Sequence, residues 1–356
     1  MNKFVAYVQA LPSHQGLILH SPVTRRYVTD FPSSDGVVFC ARGKMQLFLD
    51  RRYLEMAQRR QAAGTLAPTW ELADYPQYRQ ALTQAAADGV KQVWFEDRRT
   101  TCSQLKAWQQ AFPTVEFLPL EDRLENLRME KTPEELRRIE AAQALTGAAF
   151  EHLLTQLSPK MTERQAALIL DFYMRQQGAE DVAFETICLS GTKTSLPHGR
   201  PEDLPLVPNS FITMDFGAKL DGYCADMTRT VCLGRADQEQ KQVYQTVLEA
   251  QKAAIAAVKA NVTGDQVDRA ARQVIENAGY ADAFTHSTGH GIGLEVHESP
   301  AFSPNWKKPI PAGAVLSVEP GIYLEGRFGV RIENMVLVTP QGCRDLTPVP
   351  RELLEL

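Results

Sequence analysis

The sequence predicts two successive domains, an α/β domain over residues 1–128 and an α+β domain over residues 129–356. Three observations carry this expectation. The 356 residues exceed what a single hydrophobic core usually accommodates. The first third alternates short apolar runs with helical stretches, the rhythm of an α/β layer. From about residue 130 the texture changes, and one order of helices, histidine and acid-bearing strand occurs twice.

In the first domain the strands are expected at "GLILH" (16–20), "GVVFCA" (36–41), "MQLFLD" (45–50), "VKQVWFED" (90–97) and "VEFLPL" (115–120), with helices over 51–63, 75–88 and 101–111. The second domain opens on "KTPEELRRIEAAQALTGAAFEHLL", where Thr132 is the N-cap, Pro133 the first helical residue and Glu135 the partner that closes a capping box. A helix pair then ends at Gly178, His198 follows in "PHGR", and a strand brings Asp215. The order recurs when helices over 237–278 end at Gly279, "TGHGIG" brings His290, and "IPAGAVLSVEPG" brings Glu319. Two such halves would face each other across one pseudo-symmetric site.

Composition narrows the function. A net charge of −5 leaves no footprint for nucleic acid, so any partner is expected to be small. No run reaches the length of a membrane span; "AAIAAV" at 253–258 lies inside a charged helical pattern. The N-terminal "MNKFVAYVQALPSHQG" lacks a small-residue cleavage pattern and is read as no signal peptide. Six scattered cysteines without a CxxC pair suit reduced thiols and a cytoplasmic location.

Two hairpins carry the acids. In "SFITMDFGAKLDGYCADMTRTVCLG" the Asp-Gly is a turn signal; a turn centred between Leu220 and Asp221 sets Asp215 opposite Asp226, and Thr213 opposite Thr228. In "LSVEPGIYLEGRFGVRIENMVLV" a turn centred on Gly326 sets Glu319 opposite Glu333. Like charges placed face to face are destabilising, and a single such pair is more often a solvated edge. Here both pairs lie in apolar runs and each follows a histidine. Four carboxylates converging on one cavity call for one or two divalent cations. Of the three histidines between 286 and 297, His286 and His290 have the i, i+4 spacing of a helical zinc site. Gly289, Gly291 and Gly293 argue against a helix there and for close backbone approach.

The segments "MDFGAKLDGYCADMTRT", "TGHGIGLEVHE", "SVEPGIY" and "GVRIEN", with "LPHG" upstream, resemble the metal-dependent aminopeptidases with the pita-bread fold. These M24-type metallopeptidases include Xaa-Pro aminopeptidases, Xaa-Pro dipeptidases and methionine aminopeptidases. The likeness spans roughly residues 129–350, and "RRYVTDFPSSDGVVF" with "LFLDRRYLEMA" resembles the creatinase-type N-terminal domain of the Xaa-Pro members. The resemblance implies a dinuclear site ligated by Asp215, Asp226, His290, Glu319 and Glu333. Asp226 and Glu333 would bridge the ions, Asp215 would chelate one, and His290 with Glu319 would complete the other. It implies that His297 and His198 contact the substrate and its tetrahedral intermediate, that Glu319 moves the proton, and that Arg331 lies beside the metals. His286 matches no role and is read as a hydrogen-bonded loop residue.

The resemblance thus implies an exopeptidase that cleaves between an N-terminal residue and proline through a hydroxide activated by two divalent ions. Its substrate would be a small peptide with proline second, and the prolyl nitrogen carries no hydrogen for ordinary proteases to grip. The oxygen-rich ligand set suits Mn²⁺, with Co²⁺ or Zn²⁺ as replacements. The family further implies a homodimer. The alternatives are a broader or methionine-type aminopeptidase on the same site, and a binding relative without peptidase activity. Many Xaa-Pro relatives read "RIED" where this chain has "RIEN"; Asn334 there implies tuning of the site, not its loss.

Overall fold

The structure is a computed structural model, and it describes residues 3–356; of the N-terminal stretch read for a leader, Met1 and Asn2 lie outside the described residues. The chain divides into two compact units, one ending at Leu127 and one running from Arg128 to Leu356. Among the described residues no helix is long and apolar enough to cross a membrane.

The first unit is a six-stranded mixed sheet. Its strands are β1 (Gln15–Leu19), β2 (Gly36–Ala41), β3 (Lys44–Leu49), β4 (Trp70–Asp74), β5 (Gln92–Phe95) and β6 (Glu116–Pro119), in the spatial order β4-β3-β2-β1-β5-β6. Helices α1 (Lys3–Gln9), α2 (Pro22–Thr29) and α3 (Arg51–Ala62) contribute to the cluster around Leu17, Leu19, Val38 and Leu47. Helices α4 (Tyr78–Ala87) and α5 (Cys102–Ala111) contribute to the other, around Ile18, Val37 and Phe39. Alternate residues of each strand therefore enter opposite cores, which is why the strand sequences are apolar throughout instead of alternating. Strand β4 is not among the strands expected, because its sequence "WELAD" is half polar and its burial partial. Helix α6 (Arg123–Met129) closes the segment.

The second unit contains two like halves. The first comprises α7 (Pro133–Leu154), α8 (Glu163–Gln176), β7 (Asp181–Val182), β8 (Ile187–Ser190), β9 (Ser210–Phe216), β10 (Ala218–Leu220), β11 (Tyr223–Cys224) and β12 (Met227–Leu233). The second comprises α9 (Gln238–Ala257), α10 (Gly264–Asn277), β13 (Gly289–Gly291), β14 (Glu298–Phe302), β15 (Val315–Val318), β16 (Gly321–Leu324), β17 (Phe328–Arg331), β18 (Asn334–Val338) and β19 (Cys343–Asp345). The predicted capping box at Thr132 and Glu135 is present. The sheet of the first half runs β12-β9-β8, and the second contains the matching order β18-β15-β13. Thr162 and Thr263 cap α8 and α10 with a Gln three residues on, and each bridges to a proline, Pro205 or Pro309. The helices cover the sheets: Phe150, Leu170 and Met174 pack on Ile212, Met214 and Val231, while Val243, Val247 and Ile275 pack on Leu316 and Val336.

The matching corrects one detail of the repeat. His290 lies on strand β13, the counterpart of β8, whereas His198 lies in the loop beyond β8. The counterpart of His198 is therefore His297, which follows β13. His290 answers instead to Leu189, a core residue.

Candidate active site

The first hairpin turns one residue later than expected. Asp221 and Gly222 both have positive φ, 49° and 84°, the requirement of a two-residue type I′ turn. Leu220 consequently pairs with Tyr223. Asp215 faces Thr228 and Thr213 faces Thr230, so the expected pairings of Asp215 with Asp226 and Thr213 with Thr228 do not occur. A shift of two in partner leaves facing unchanged, because side chains alternate with period 2. Asp226 follows Ala225, whose carbonyl would lie 1.9 Å from a Cβ added at Gly217; only glycine permits that approach. In the second hairpin the register is as read, with Gly321 opposite Arg331 and Val318 opposite Asn334. Glu319 and Glu333 fall in the gap between those two ladders. Their backbone amides turn elsewhere, to Thr288 O at 2.7 Å and Thr228 O at 3.1 Å.

Glycines place His290. A Cβ at Gly289 would sit 2.0 Å from Ser317 O, and one at Gly291 2.5 Å from Glu298 O. Strand β13 thus lies tight between β14 and β15, with no helix. The His290 amide donates to Ser317 Oγ at 3.0 Å and its Nδ1 lies 3.2 Å from Gly291 O. A carbonyl only accepts, so Nδ1 carries the proton and Nε2 points to the acids. Nε2 lies 3.2 Å from Glu319 Oε1 and 3.5 Å from Asp226 Oδ2.

All eight residues expected at the site line one cavity of about 650 Å³: Asp215, Asp226, His290, Glu319 and Glu333, together with His198, His297 and Arg331. Donor atoms of Asp226, His290 and Glu333 lie within 4.8 Å of one another, a group able to hold a metal ion. Asp215 and Glu319 are outside that tight trio. Asp215 Oδ2 is held by Arg331 Nη2 at 2.7 Å, and Glu319 Oε1 accepts from Ser317 Oγ at 3.1 Å.

The carboxylates are short of partners. Asp215 Oδ1, Asp226 Oδ1 and Glu333 Oε1 are each buried without a hydrogen bond, a costly state for an acceptor. Burial, reinforced by Glu333 and Asp215, raises the Asp226 carboxyl well above its ordinary range. Burial, with Glu319 and Asp215, does the same to Glu333. For Glu319 burial also opposes the charge, but the His290 hydrogen bond and charge prevail and pull it down to about 2. The His290 imidazole is raised: burial works against its protonation and Glu319 outweighs burial. A cation held among these groups would offset their crowded negative charge. Orphaned oxygens, one imidazole nitrogen and an oxygen-rich set fit a divalent ion.

Several residues of the site carry no local sequence signal. Thr228 Oγ1 donates to Glu333 Oε2 at 2.8 Å and accepts from Arg331 Nε at 3.0 Å, tying an acid of the second half to the first half's sheet. Tyr323 accepts from Arg331 Nη1 at 2.8 Å and reaches His286 Nε2 at 2.8 Å. His286 Nδ1 lies 2.8 Å from Ser287 O, so the ring is the Nδ1–H tautomer and accepts the tyrosyl proton. Burial lowers its pKa. His286 is the hydrogen-bonded loop residue expected, and it also lines the cavity. The His297 ring stands 4.2 Å from that of His290; its pKa is lowered by burial and then by His290. At the cavity wall Arg200 pairs with Glu185 at 3.1 Å.

Two half-sheets packed under helix pairs, with acids from both halves and an imidazole between them, define a pita-bread hydrolase. Residues 137–340 match the model of metallopeptidase family M24, and residues 12–130 that of the creatinase/prolidase N-terminal domain. The chain is 37% identical over 346 residues to the peptidase YqhT of Bacillus subtilis, covering 96% of each. It is similar to the solved Xaa-Pro dipeptidase from Bacillus anthracis, with 36% identity, a TM-score of 0.90 and coverage of 96% of this chain and 95% of that one. It is equally similar to the X-Pro aminopeptidase from Thermotoga maritima, with 35% identity, a TM-score of 0.90 and coverage of 98% and 100%. The chain belongs to metallopeptidase family M24. It is an enzyme, a hydrolase of the pita-bread fold.

Proposed function

We propose that this chain is a Xaa-Pro peptidase, hydrolysing the bond between an N-terminal residue and a following proline. The observation that carries the reading is the convergence of three buried, unpartnered carboxylate oxygens with His290 on one cavity. The similarity to a Xaa-Pro dipeptidase and an X-Pro aminopeptidase supports the substrate class.

Asp226 and Glu333, whose side chains are the most deeply buried of the four acids, would hold both cations. Asp215 would hold one, and His290 with Glu319 the other. Two divalent ions, Mn²⁺ natively with Co²⁺ or Zn²⁺ as substitutes, would supply Lewis acidity and a lowered water pKa there. Glu319 takes the proton of the attacking water and delivers it to the leaving prolyl nitrogen. His297 and His198 orient the peptide and stabilise charge developing on the scissile carbonyl oxygen. Arg331 keeps Asp215 aimed, through the 2.7 Å bond to Oδ2. None of these contacts requires a hydrogen on the prolyl nitrogen. On the same footing, residues 1–128 and 129–356 form separate domains and the enzyme is a cytoplasmic homodimer. Limited proteolysis, sedimentation and cell fractionation test those three assignments.

The direct test strips the metal, restores Mn²⁺ and compares a Xaa-Pro dipeptide, a Xaa-Pro-Yaa tripeptide and a Met-Ala-Yaa peptide. Manganese-dependent cleavage of a proline peptide is expected, and which length is cleaved separates dipeptidase from aminopeptidase. Cleavage of Met-Ala-Yaa alone would replace the reading with a methionine-type activity. No metal-dependent cleavage of any of the three would overturn it.

A further inference from the structure

We propose that Asp268 and Arg272, on α10, are positioning residues for the imidazoles of His286 and His290. Resting on the reading of His290 as a metal ligand, the proposal names residues that act through the backbone behind it. The segment Phe284–Thr288 is irregular, lying between a short 3₁₀ turn and β13. What holds it is one bidentate pair. Arg272 Nε lies 3.0 Å from Asp268 Oδ2, and Nη2 lies 3.1 Å from Oδ1. The remaining donors of the guanidinium go to the segment: Nη1 to Phe284 O at 3.0 Å and Nη2 to His286 O at 2.9 Å. Asp268 Oδ1 accepts from both the amide and the hydroxyl of Thr288, each at 3.0 Å. The guanidinium also lies 4.2 Å from the centre of the Phe284 ring, which in turn meets His286 edge-on at 5.2 Å.

An Asp and an Arg four apart on a helix ordinarily form a solvated surface pair worth a few tenths of a kcal/mol. This one differs in two respects. Asp268 is 2% exposed, and the planar fork of the arginine is filled by carbonyls, a pattern that lysine cannot reproduce. The consequences reach the site by two routes. Thr288 O receives the amide of Glu319 at 2.7 Å, and His286 supports Tyr323, which supports Arg331 and hence Asp215. A shift of the segment would therefore move His290, Glu319 and Asp215 together.

The test uses the full chain with Asp268→Asn and Arg272→Lys, each at unchanged circular dichroism. The expected result is that Co²⁺ affinity by calorimetry falls by about 10- to 100-fold, the scale of a lost outer hydrogen bond at a metal site. The visible Co²⁺ spectrum shifts as well, and in the metal-free protein the imidazole ¹⁵N resonances of His286 and His290 move. Wild-type affinity, spectrum and imidazole resonances in a folded variant would overturn the proposal. Should Asp268→Asn fail to fold, Arg272→Lys carries the test, since it keeps the charge and loses the fork. A His290→Ala control that leaves Co²⁺ binding untouched would sink the ligand assignment alone, because the metal-free resonances still judge the clamp.

Discussion

Pro133–Leu233 and Gln238–Val338 build the same scaffold and arm it differently. In each half two helices precede a strand, β8 or β13, that flanks a central strand, and the first acid stands on that central strand in β9 and just beyond it in β15. In the first half, β9 and β12 keep one unbroken register from Ser210 to Phe216, and the central acid, Asp215, stands on a continuous ladder. In the second half the ladder is interrupted where the acids occur, and Glu319 and Glu333 hang in the gap. The flanking strands diverge too: β13, itself covered by β14, places an imidazole where β8 places the core residue Leu189. The likeness gives two opposed carboxylate-bearing faces. The difference supplies the imidazole of the metal-holding group and the acid it pairs with, Glu319, both from the second half.

If both halves are needed to hold the cations, removing an acid from either should be equally damaging. Asp226→Asn and Glu333→Gln are each expected to lower kcat/KM by more than about 10³-fold, roughly 4 kcal/mol of transition-state stabilisation. The metal-free protein should lose little stability by the same changes, since burial already disfavours the charge on both groups. Steady-state kinetics and melting temperatures with and without Mn²⁺ decide it. A variant that keeps activity would remove that residue from the set that holds the cations.

The sequence made much of this comparison legible, and the misses have identifiable causes. The second hairpin could be read from Gly326 alone, because a three-residue loop around a single positive-φ glycine, at 68°, fixes the pairing on both sides. The first could not be centred correctly because Leu220 and Asp221 serve as well as Asp221 and Gly222 until backbone dihedrals are known. The two-residue period protected the facing of the acids from that error. The repeat was visible in the order of its elements, but matching histidine to histidine joined a strand residue, His290, to a loop residue, His198. Thr228, Tyr323, Asp268 and Arg272 stayed hidden for another reason. Their partners lie far along the chain or across strands, as from Thr228 to Glu333, and a buried Asp-Arg spacing on a helix reads like an exposed one.

The loops bearing the cavity histidines sharpen the comparison further. Behind the His198 loop, buried Glu163 accepts from the amides of Ser190 and Glu202 and from Lys193 Nζ at 2.6 Å. Beside His297, buried Glu298 pairs with Arg128 and with Lys131 Nζ at 2.7 Å. Burial pushes the Glu298 carboxyl up, yet the two cations prevail and hold it below its ordinary value. A carboxyl depressed in the folded state stabilises the protein above its unfolded pKa, near 4.5, and that contribution fades as pH falls through the folded value. Glu298→Gln should cost about 3 kcal/mol at neutral pH by leaving buried Lys131 without a carboxylate and Arg128 with Glu295 alone, at 3.0 Å. The deficit against wild type should shrink below about pH 4.5. Denaturant unfolding at a series of pH values measures both, and a deficit independent of pH would assign the loss to packing.

The smallest effect is expected at Asn334, where this chain departs from the acid of many Xaa-Pro relatives. Its side chain faces away from the cavity: Oδ1 accepts from Arg229 Nη2 at 3.0 Å, and Nδ2 donates to Asp345 at 2.6 Å. Arg229 is buried, at 2% exposure, and its hydrogen bonds go to neutral acceptors, including the carbonyls of Glu333, Val349 and Pro350. Burial lowers its pKa to about 10. Asn334→Asp would give this guanidinium a charged partner and would set a second carboxylate beside Asp345. Asp345 lies at the surface, where water screens the repulsion, whereas the pair with Arg229 is dry, so the attraction wins. Stability should rise by about 1 kcal/mol, with kcat/KM changed less than about threefold because no ligand atom moves. A large change in activity would mean that Arg229, through the carbonyl of Glu333, sets the second half's bridging acid in place, and that the two halves are less independent than their separate ladders suggest.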